Sequence, residues 1–236
     1  MTNWPKLARV VEAAGLQVRG GFLCEPADAV PDCRDGRPAR TLVLLGNAGA
    51  GLWERFATAP EFGDGGAQPL DRWSRRVIEA LAGELDATAL FPFEGPPYHP
   101  FQRWARRAEP LWPSPLGILI HPRYGLWHGY RGALAFVRPV AAMPAREELT
   151  SPCESCAEKP CLEACPVGAF TQGRYEVRRC VNHIVSPGGE DCMALSCRAR
   201  RACPVGKDYL YGAEQSRFHM NKFLASRRRG MAVDDE

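Results

Sequence analysis

Eight cysteines in one short segment constrain this chain more than any other feature of its sequence. They form two groups, each closing with a cysteine followed by proline: Cys153-x2-Cys156-x4-Cys161-x3-Cys165-Pro and Cys180-x11-Cys192-x4-Cys197-x5-Cys203-Pro. The stretches "EACPVGAF" and "RACPVGKD" make an internal near-repeat around the two Cys-Pro pairs. Closely spaced thiolates on a looped backbone are typical ligands of iron–sulfur clusters and of zinc. We therefore expect the rear of the chain to be organised by what its cysteines hold.

The distribution of cysteine and tryptophan divides the chain. Of the ten cysteines only Cys24 and Cys33 lie outside the rear segment, whereas all six tryptophans lie between Trp4 and Trp127. The 236 residues are 45% hydrophobic, enough for a sizeable core in the front part. A boundary near residues 141–152 follows. We expect a front domain at 1–145, a cysteine module at 146–212, and a C-terminal helix with a charged tail at 213–236.

Composition also limits the partners and the compartment. A net charge of +3 gives no electrostatic argument for a nucleic-acid partner. No apolar run approaches the roughly 20 residues that span a bilayer, so no membrane insertion is expected. The first residues mix charge into an amphipathic pattern and lack the features of a secretory signal. We predict a cytoplasmic protein, and in that reducing compartment a disulfide framework is not expected.

Hydrophobic periodicity predicts both helices and strands in the front domain. Apolar residues at helical spacing predict helices at 3–16 and 70–85, with Asp71 as the N-cap of the second. The continuous apolar run at 41–46 predicts a buried strand. Further expected elements are short strands at 16–24, 88–93, 116–121 and 132–137, one helical turn at 101–108, a hairpin with a Gln-Gly turn at 169–177, and a helix near 210–230. This mixture predicts an α+β or α/β three-layer front domain.

The cysteine segment resembles the two-cluster bacterial ferredoxins. In those proteins three cysteines hold one [4Fe–4S] cluster, and the fourth, which precedes proline, ligates the other. The resemblance implies one cluster held by Cys153, Cys156, Cys161 and Cys203 and a second held by Cys180, Cys192, Cys197 and Cys165. This sequence departs from the pattern where Lys159-Pro160 lengthens the second gap to x4, and its second group is stretched throughout.

Other uses of the same residues stay open at this point. Two structural zinc sites would also use eight thiolates. Five arginines adjoin the cysteines in sequence, and they either raise the reduction potential of the clusters or form a solvated basic rim for solubility or partner docking: Arg178, Arg179, Arg198, Arg200 and Arg201.

A segment of the front domain carries a second resemblance. The stretch "IHPRYGLWHGYRGALAF" (120–136) is similar to the His-Pro-x-aromatic-Gly-x-Trp-x3-Arg-Gly segment of the cobalamin-processing CblC family, which has a nitroreductase-like α+β fold. The resemblance implies a corrinoid pocket at His121, Tyr124, Trp127 and Arg131, with stacking aromatics and an arginine for a phosphate or carboxylate. The alternative is an ordinary buried hairpin with aromatic core residues and a salt-bridged arginine. His121 and His128 are either cobalt or metal ligands or structural histidines.

The combined layout resembles epoxyqueuosine reductase and the reductive dehalogenases, in which clusters feed electrons to a corrinoid. The chain has no counterpart of the Gly-Trp-Ile-Gly-Lys-Asn run of epoxyqueuosine reductase. The leading hypothesis is a ferredoxin-like oxidoreductase that passes electrons between two [4Fe–4S] clusters and a redox group or partner. That partner is a redox protein or a small-molecule electron donor or acceptor. The alternatives are a corrinoid-dependent reductase of a small substrate, with cobalamin as cofactor, and a zinc-stapled, non-redox scaffold. No catalytic residue is identified.

Overall fold

The chain folds into two compact units, and the division after Leu149 lies within the boundary region expected at 141–152. A computed structural model describes residues 2–171 and 173–234, with side chains described as far as residue 228. The front unit contains residues up to 110 together with 128–149, and the rear unit contains 111–127 together with the cysteine-rich remainder. The sequence had assigned 111–127 to the front domain and 213–236 to a separate segment. Residues 111–127 and the described part of 213–236 belong to the compact unit that holds the cysteines.

The described elements are numbered in chain order. The strands are β1 (Gln17–Leu23), β2 (Thr41–Ala48), β3 (Thr88–Leu90), β4 (Trp112–Pro113), β5 (Leu119–Ile120), β6 (His128–Phe136), β7 (Phe170–Thr171) and β8 (Arg174–Tyr175). The α-helices are α1 (Trp4–Ala13), α2 (Trp53–Ala57), α3 (Pro60–Gly63), α4 (Pro69–Leu85), α5 (Phe101–Ala108), α6 (Pro160–Glu163), α7 (Val177–Ile184), α8 (Glu190–Leu195), α9 (Arg198–Ala202) and α10 (Ala213–Asp234).

An antiparallel sheet in the order β1-β2-β6-β3 forms the centre of the front unit. Every residue of β2 is buried, as the apolar run at 41–46 predicted. The strand continues through Asn47 to Ala48, which pair with Gly129 and His128 of β6. Helices α1 and α4 contact each other and the sheet, and α5 packs against β1 and β2. The predicted α+β class is therefore confirmed.

Local signals explain where the two predicted front helices begin. The Asn3 side chain accepts a hydrogen bond from the Lys6 N–H at 3.0 Å and caps α1. The prediction that Asp71 caps α4 was wrong, because the helix begins at Pro69 with Gln68 as its N-cap residue. Proline suits the first helical position, since its fixed φ matches the helix and its missing N–H has no partner there.

The glycine-rich region of the second resemblance is divided between the two units. The strand expected at 116–121 is reduced to β5, which pairs with β4 in a two-stranded sheet of the rear unit. The strand expected at 132–137 begins earlier, at His128, because β2 extends far enough to pair with it. The expected helical turn at 101–108 is the complete helix α5, whose Trp104 donates a hydrogen bond to the Asp28 carbonyl at 2.8 Å.

Short helices connect the cysteines of the rear unit. The predicted hairpin is present as β7 and β8, although Gln172 of its turn lies outside the described residues. The predicted C-terminal helix is α10, which packs against α7 and α8. Helices α6 to α9 have four to eight residues each, too short for a periodic hydrophobic pattern to predict them. Among the described residues, no helix is both long enough and apolar enough to cross a bilayer.

The two cysteines outside the rear segment are desolvated thiols of the front unit. Cys33 is buried, and its thiol lies 3.7 Å from the Ala135 carbonyl oxygen. Burial raises the pKa of Cys24 to about 12, and the charge of Asp28 adds to the effect. A thiol with so high a pKa stays protonated near neutral pH, so Cys24 is a poor nucleophile.

A methyl group at Gly46 should destabilise the front unit. A Cβ at Gly46 would lie 1.9 Å from the Gly129 carbonyl oxygen, so β2 and β6 would have to separate. We expect Gly46→Ala to lower the free energy of unfolding by at least about 2 kcal/mol in urea denaturation followed by circular dichroism. Gly83→Ala is the matched control. Its Cβ meets no atom within 4 Å in the interior of α4, so it should be neutral or stabilising by up to about 1 kcal/mol. Equal stability of Gly46→Ala and the unaltered chain would contradict the close approach of the two strands.

The raised pKa of Cys24 predicts slow alkylation. At pH 8 the folded chain should react with iodoacetamide at Cys24 on the order of 10² to 10³ times more slowly than the urea-unfolded chain, as measured by peptide mass mapping. Because the folded pKa is about 12, the rate should keep rising between pH 8 and pH 11. The unfolded rate should level off above its ordinary pKa, and a plateau at the same pH in both states would refute the burial of this thiol.

Candidate metal centre

The first four thiols of the candidate centre come from a loop, a short helix and a distant segment. Cys153 and Cys156 precede α6, Cys161 lies within α6, and Cys203 follows α9. Burial raises the pKa of Cys153, and repulsion from Cys203, Cys161 and Cys156 raises it further. Such repulsion requires proximity. The structure therefore brings together the four residues predicted for one cluster, here called the first set.

The other four thiols are also near one another. Cys165 follows α6, Cys180 and Cys192 lie in α7 and α8, and Cys197 directly precedes α9. Burial raises the pKa of Cys180, and Cys165 and Cys192 add to the rise. Burial likewise raises the pKa of Cys197 to about 11, with contributions from Cys180 and Cys192. These four residues are the second set, and helix α9 joins it to the first.

Backbone N–H groups point at several of the sulfurs. The Ala169 N–H donates to Cys165 Sγ at 3.3 Å, and the N–H groups of Arg200 and Ala199 donate to Cys197. In the first set, the Val205 N–H donates to Cys203. These donors oppose the effect of burial on the thiol pKa, because they stabilise the thiolate. Clustered cysteines with amide donors match the donor chemistry that an iron–sulfur cluster requires.

The sulfurs are packed within apolar side chains of the same unit. Cys161 and Cys203 are buried beside Ala199 and three residues of the 111–127 segment: Leu116, Ile120 and Leu126. This packing explains why that segment groups with the cysteines. In residues 2–171 and 173–234, no group of three or more histidine, cysteine or acidic side chains is placed to hold a single metal ion. The role of the eight cysteines as ligands therefore stays a prediction.

An open groove of about 610 Å³ borders the first set. Cys153 and Cys156 line it, together with residues of the 111–115 and 151–159 segments that include Trp112 and Lys159. Lys159 also acts on the first set, since its charge opposes the rise in the pKa of Cys153 that burial causes. The groove gives a partner direct access to this side of the candidate centre.

Three of the four residues predicted for the corrinoid pocket lie in the rear unit. His121 is buried and stacks on Tyr124, with ring centroids 4.3 Å apart. Its Nδ1 accepts hydrogen bonds from the backbone N–H groups of Arg123 and Tyr124 at 3.0 and 3.3 Å. This nitrogen is therefore already used within the chain, which suits a structural histidine.

Trp127 is buried against residues that the sequence analysis did not connect with it. The guanidinium of Arg200 lies 4.1 Å from the centroid of its ring, and Tyr211 packs edge-on at 5.1 Å. Arg200 also donates two hydrogen bonds to the Leu126 carbonyl, at 2.6 and 3.1 Å. The indole Nε1 is buried and has no hydrogen-bond partner within the described part of the chain.

The fourth predicted pocket residue, Arg131, belongs to the front unit. Its guanidinium forms an ion pair with Asp71 and donates to Ser74 Oγ at 2.9 Å. His128, the other histidine of this region, is half-buried in the same unit, edge-on to Tyr130. Arg131 therefore has the salt-bridged arrangement that the sequence analysis kept as its alternative.

The arginines that adjoin the cysteines in sequence are largely committed to partners. Arg198 and Arg201 both pair with Asp191, which holds the pKa of that carboxyl below its usual value. Arg179 donates to the Gly168 carbonyl at 3.3 Å. The sequence analysis identified these arginines by their position beside the cysteines. It did not predict that Asp191 would pair with both Arg198 and Arg201.

The chain is similar to solved structures in fold rather than in sequence. No protein-family model matches the sequence, and no curated protein matches it. A C. elegans B12-trafficking protein CblC, a homologue of human MMACHC, is similar with a TM-score of 0.52 at 14% identity, over 92% of this chain and 91% of its own. A selenomethionine-labelled epoxyqueuosine reductase is similar with a TM-score of 0.50 at 14% identity, over 89% of this chain and 67% of its own. The predicted resemblance to these two folds is thereby confirmed.

Proposed function

We propose that this chain is an iron–sulfur electron-transfer protein that holds one [4Fe–4S] cluster in each set of four cysteines. The observation that supports the proposal is that thiols of both motifs affect one another: Cys203 raises the pKa of Cys153, and Cys165 raises the pKa of Cys180. Buried thiols that repel one another as thiolates are stabilised when bound metal compensates their charge. The fold likeness to a reductase and to a B12-trafficking protein supports a redox role.

Under this proposal the cysteines, the amide donors, the apolar residues and the groove each have a specific role. The clusters, when bound, supply one-electron chemistry over a wide range of potentials. The eight cysteines anchor them, and the amide donors at Ala169, Arg200 and Val205 stabilise the thiolates. The apolar residues around Cys161 and Cys203 exclude water. The groove beside Cys153 lets a redox protein or a small-molecule electron donor or acceptor approach the first set.

Cysteine substitutions test the proposed exchange of the fourth ligand. Anaerobically purified protein should contain about eight irons and eight sulfides per chain. Cys203→Ser and Cys153→Ser should each remove the same component of the EPR spectrum of the reduced protein, with about half of the iron. Cys165→Ser and Cys180→Ser should both remove the other component. Cys24→Ser, a cysteine of the front unit, is the matched control and should keep the full iron content.

Two results would overturn the proposal. A colourless protein with two zinc ions and no sulfide would favour the zinc-stapled scaffold. If Cys203→Ser removed the component that is lost in Cys180→Ser, the assignment of the fourth ligands would be wrong even though clusters are present.

A second candidate function is a corrinoid-dependent reductase of a small substrate. The fold likeness to a B12-trafficking protein favours it, as does the aromatic segment that carries Tyr124 and Trp127. His121 would support the pocket through its stacking on Tyr124.

Titration with hydroxocobalamin separates the two candidates. A corrinoid-dependent reductase should shift the visible spectrum of the corrinoid, and the dithionite-reduced, desalted protein should transfer one electron to each cobalt. The double variant Cys153→Ser/Cys180→Ser should bind the corrinoid without reducing it, because both clusters are lost. No spectral change with protein in large excess would leave the electron carrier as the function.

A further inference from the structure

Helix α9 connects one cysteine of each set. It begins directly after Cys197 and ends directly before Cys203. The Arg201 N–H donates to the Cys197 carbonyl at 3.0 Å. The Cys203 N–H donates to the Arg200 carbonyl at 3.3 Å. Because both cysteines are hydrogen-bonded to this single helical segment, a shift of α9 would move the two together.

The side chain of Arg200 attaches α9 to the loop at 124–127, which belongs to the same unit. Its Nε and Nη2 both donate to the Leu126 carbonyl, at 3.1 and 2.6 Å. Its guanidinium also lies over two rings, 4.1 Å from the centroid of Trp127 and 4.8 Å from that of Tyr211. A planar guanidinium that is hydrogen-bonded at its edge and stacked on aromatic rings is held in one orientation.

The same loop contacts the chain again just beyond Cys203. A Cβ at Gly125 would lie 2.0 Å from the Val205 carbonyl oxygen. A Cβ at Gly206 would lie 2.4 Å from the Tyr124 carbonyl oxygen. Backbone therefore meets backbone at this point, and the loop holds the chain on both sides of the cysteine.

We propose that Arg200 is a positioning residue, which holds α9 against the 124–127 loop and thereby keeps one cysteine of each set in place for its cluster. The anchoring of α9 stands on the contacts above, and the support of two clusters rests on the proposed function. Because Arg200 acts on the helix and not on one ligand, its loss should loosen both sets at once. Loss of a single cysteine should affect one set.

Hydrogen exchange in Arg200→Ala tests the anchoring of α9, whatever metal the protein holds. Amide exchange measured by mass spectrometry on the anaerobically purified protein should become about tenfold faster in the peptide covering residues 196–206, because a forked hydrogen bond from a charged group is lost. Exchange in β2 and β6 of the front unit should stay unchanged. A general loss of stability would accelerate exchange in both units.

Cluster stability in the same variant tests the support of both sets. Anaerobic release of iron to the chelator bathophenanthroline should be about tenfold faster than in the unaltered chain. Both components of the EPR spectrum of the reduced protein should decline in parallel during the release. Cys153→Ser, which should lack one component from the start, gives the reference for damage to a single set.

Three further variants make the result specific. Arg198→Ala is the matched control on the same helix, because Arg198 is exposed and pairs with Asp191 instead of the loop. It should leave exchange and iron release unchanged. Trp127→Phe should accelerate both about threefold, since it removes part of the ring under the guanidinium, while the indole Nε1 has no hydrogen-bond partner among the described residues. Arg200→Lys serves if Arg200→Ala does not fold, and it should also accelerate both about threefold, because an ammonium cannot reproduce the planar fork.

The outcomes separate failure of this inference from failure of the proposed function. Unchanged exchange in the 196–206 peptide of Arg200→Ala, or of Arg200→Lys if only that variant folds, would overturn the anchoring role. Faster exchange with accelerated decline of only one EPR component would overturn the support of both sets and leave the electron carrier intact. A protein without iron and sulfide would overturn the proposed function and the support of clusters, and the exchange measurement would still decide whether Arg200 anchors α9.

Discussion

Mutual repulsion among buried thiols is the constraint on which the rear unit depends. Three of the eight cysteines are buried and five are partly buried. Burial raises the pKa of Cys153, Cys180 and Cys197, and repulsion from neighbouring thiols adds to the rise. Hydrogen bonds from Val205, Ala169 and the first turn of α9 offset part of that cost. Under the proposed function, bound clusters would compensate the remainder, and cofactor insertion would then be coupled to folding of this unit.

The front unit is stabilised by a different principle. Its strands bury leucine, valine and alanine side chains along β2 and β6, and α4 packs its apolar face against them. Some of the buried polar groups inside it form long-range pairs. Arg19 is almost completely buried and forms a bidentate pair with Glu109, which also accepts a hydrogen bond from Tyr130. Removal of Arg19 or of Glu109 would leave the other charge unpaired in the interior, which is costly.

Features that depend on residues close together in the sequence were predicted correctly. Features that depend on contacts between distant residues were not. The helix after Asn3 and the buried strand at Thr41 follow from spacing along the chain. The pairing of Arg131 with Asp71 spans 60 residues, and that of Arg200 with the Leu126 carbonyl spans 74, so no window of sequence contains them. The grouping of residues 111–127 with the cysteines was not predicted either, because it also depends on contacts between distant parts of the chain.

The crossing of cysteines between the two motifs affects how the protein is made. The first set is incomplete until Cys203 has been synthesised, although its other three members precede that residue by more than 40 positions. The second set closes earlier, at Cys197, and uses Cys165 from the first motif. During synthesis the second set is therefore complete before the first set. A chain truncated between residues 197 and 203 retains the second set and leaves three thiols of the first exposed to oxidation and to capture by stray metal.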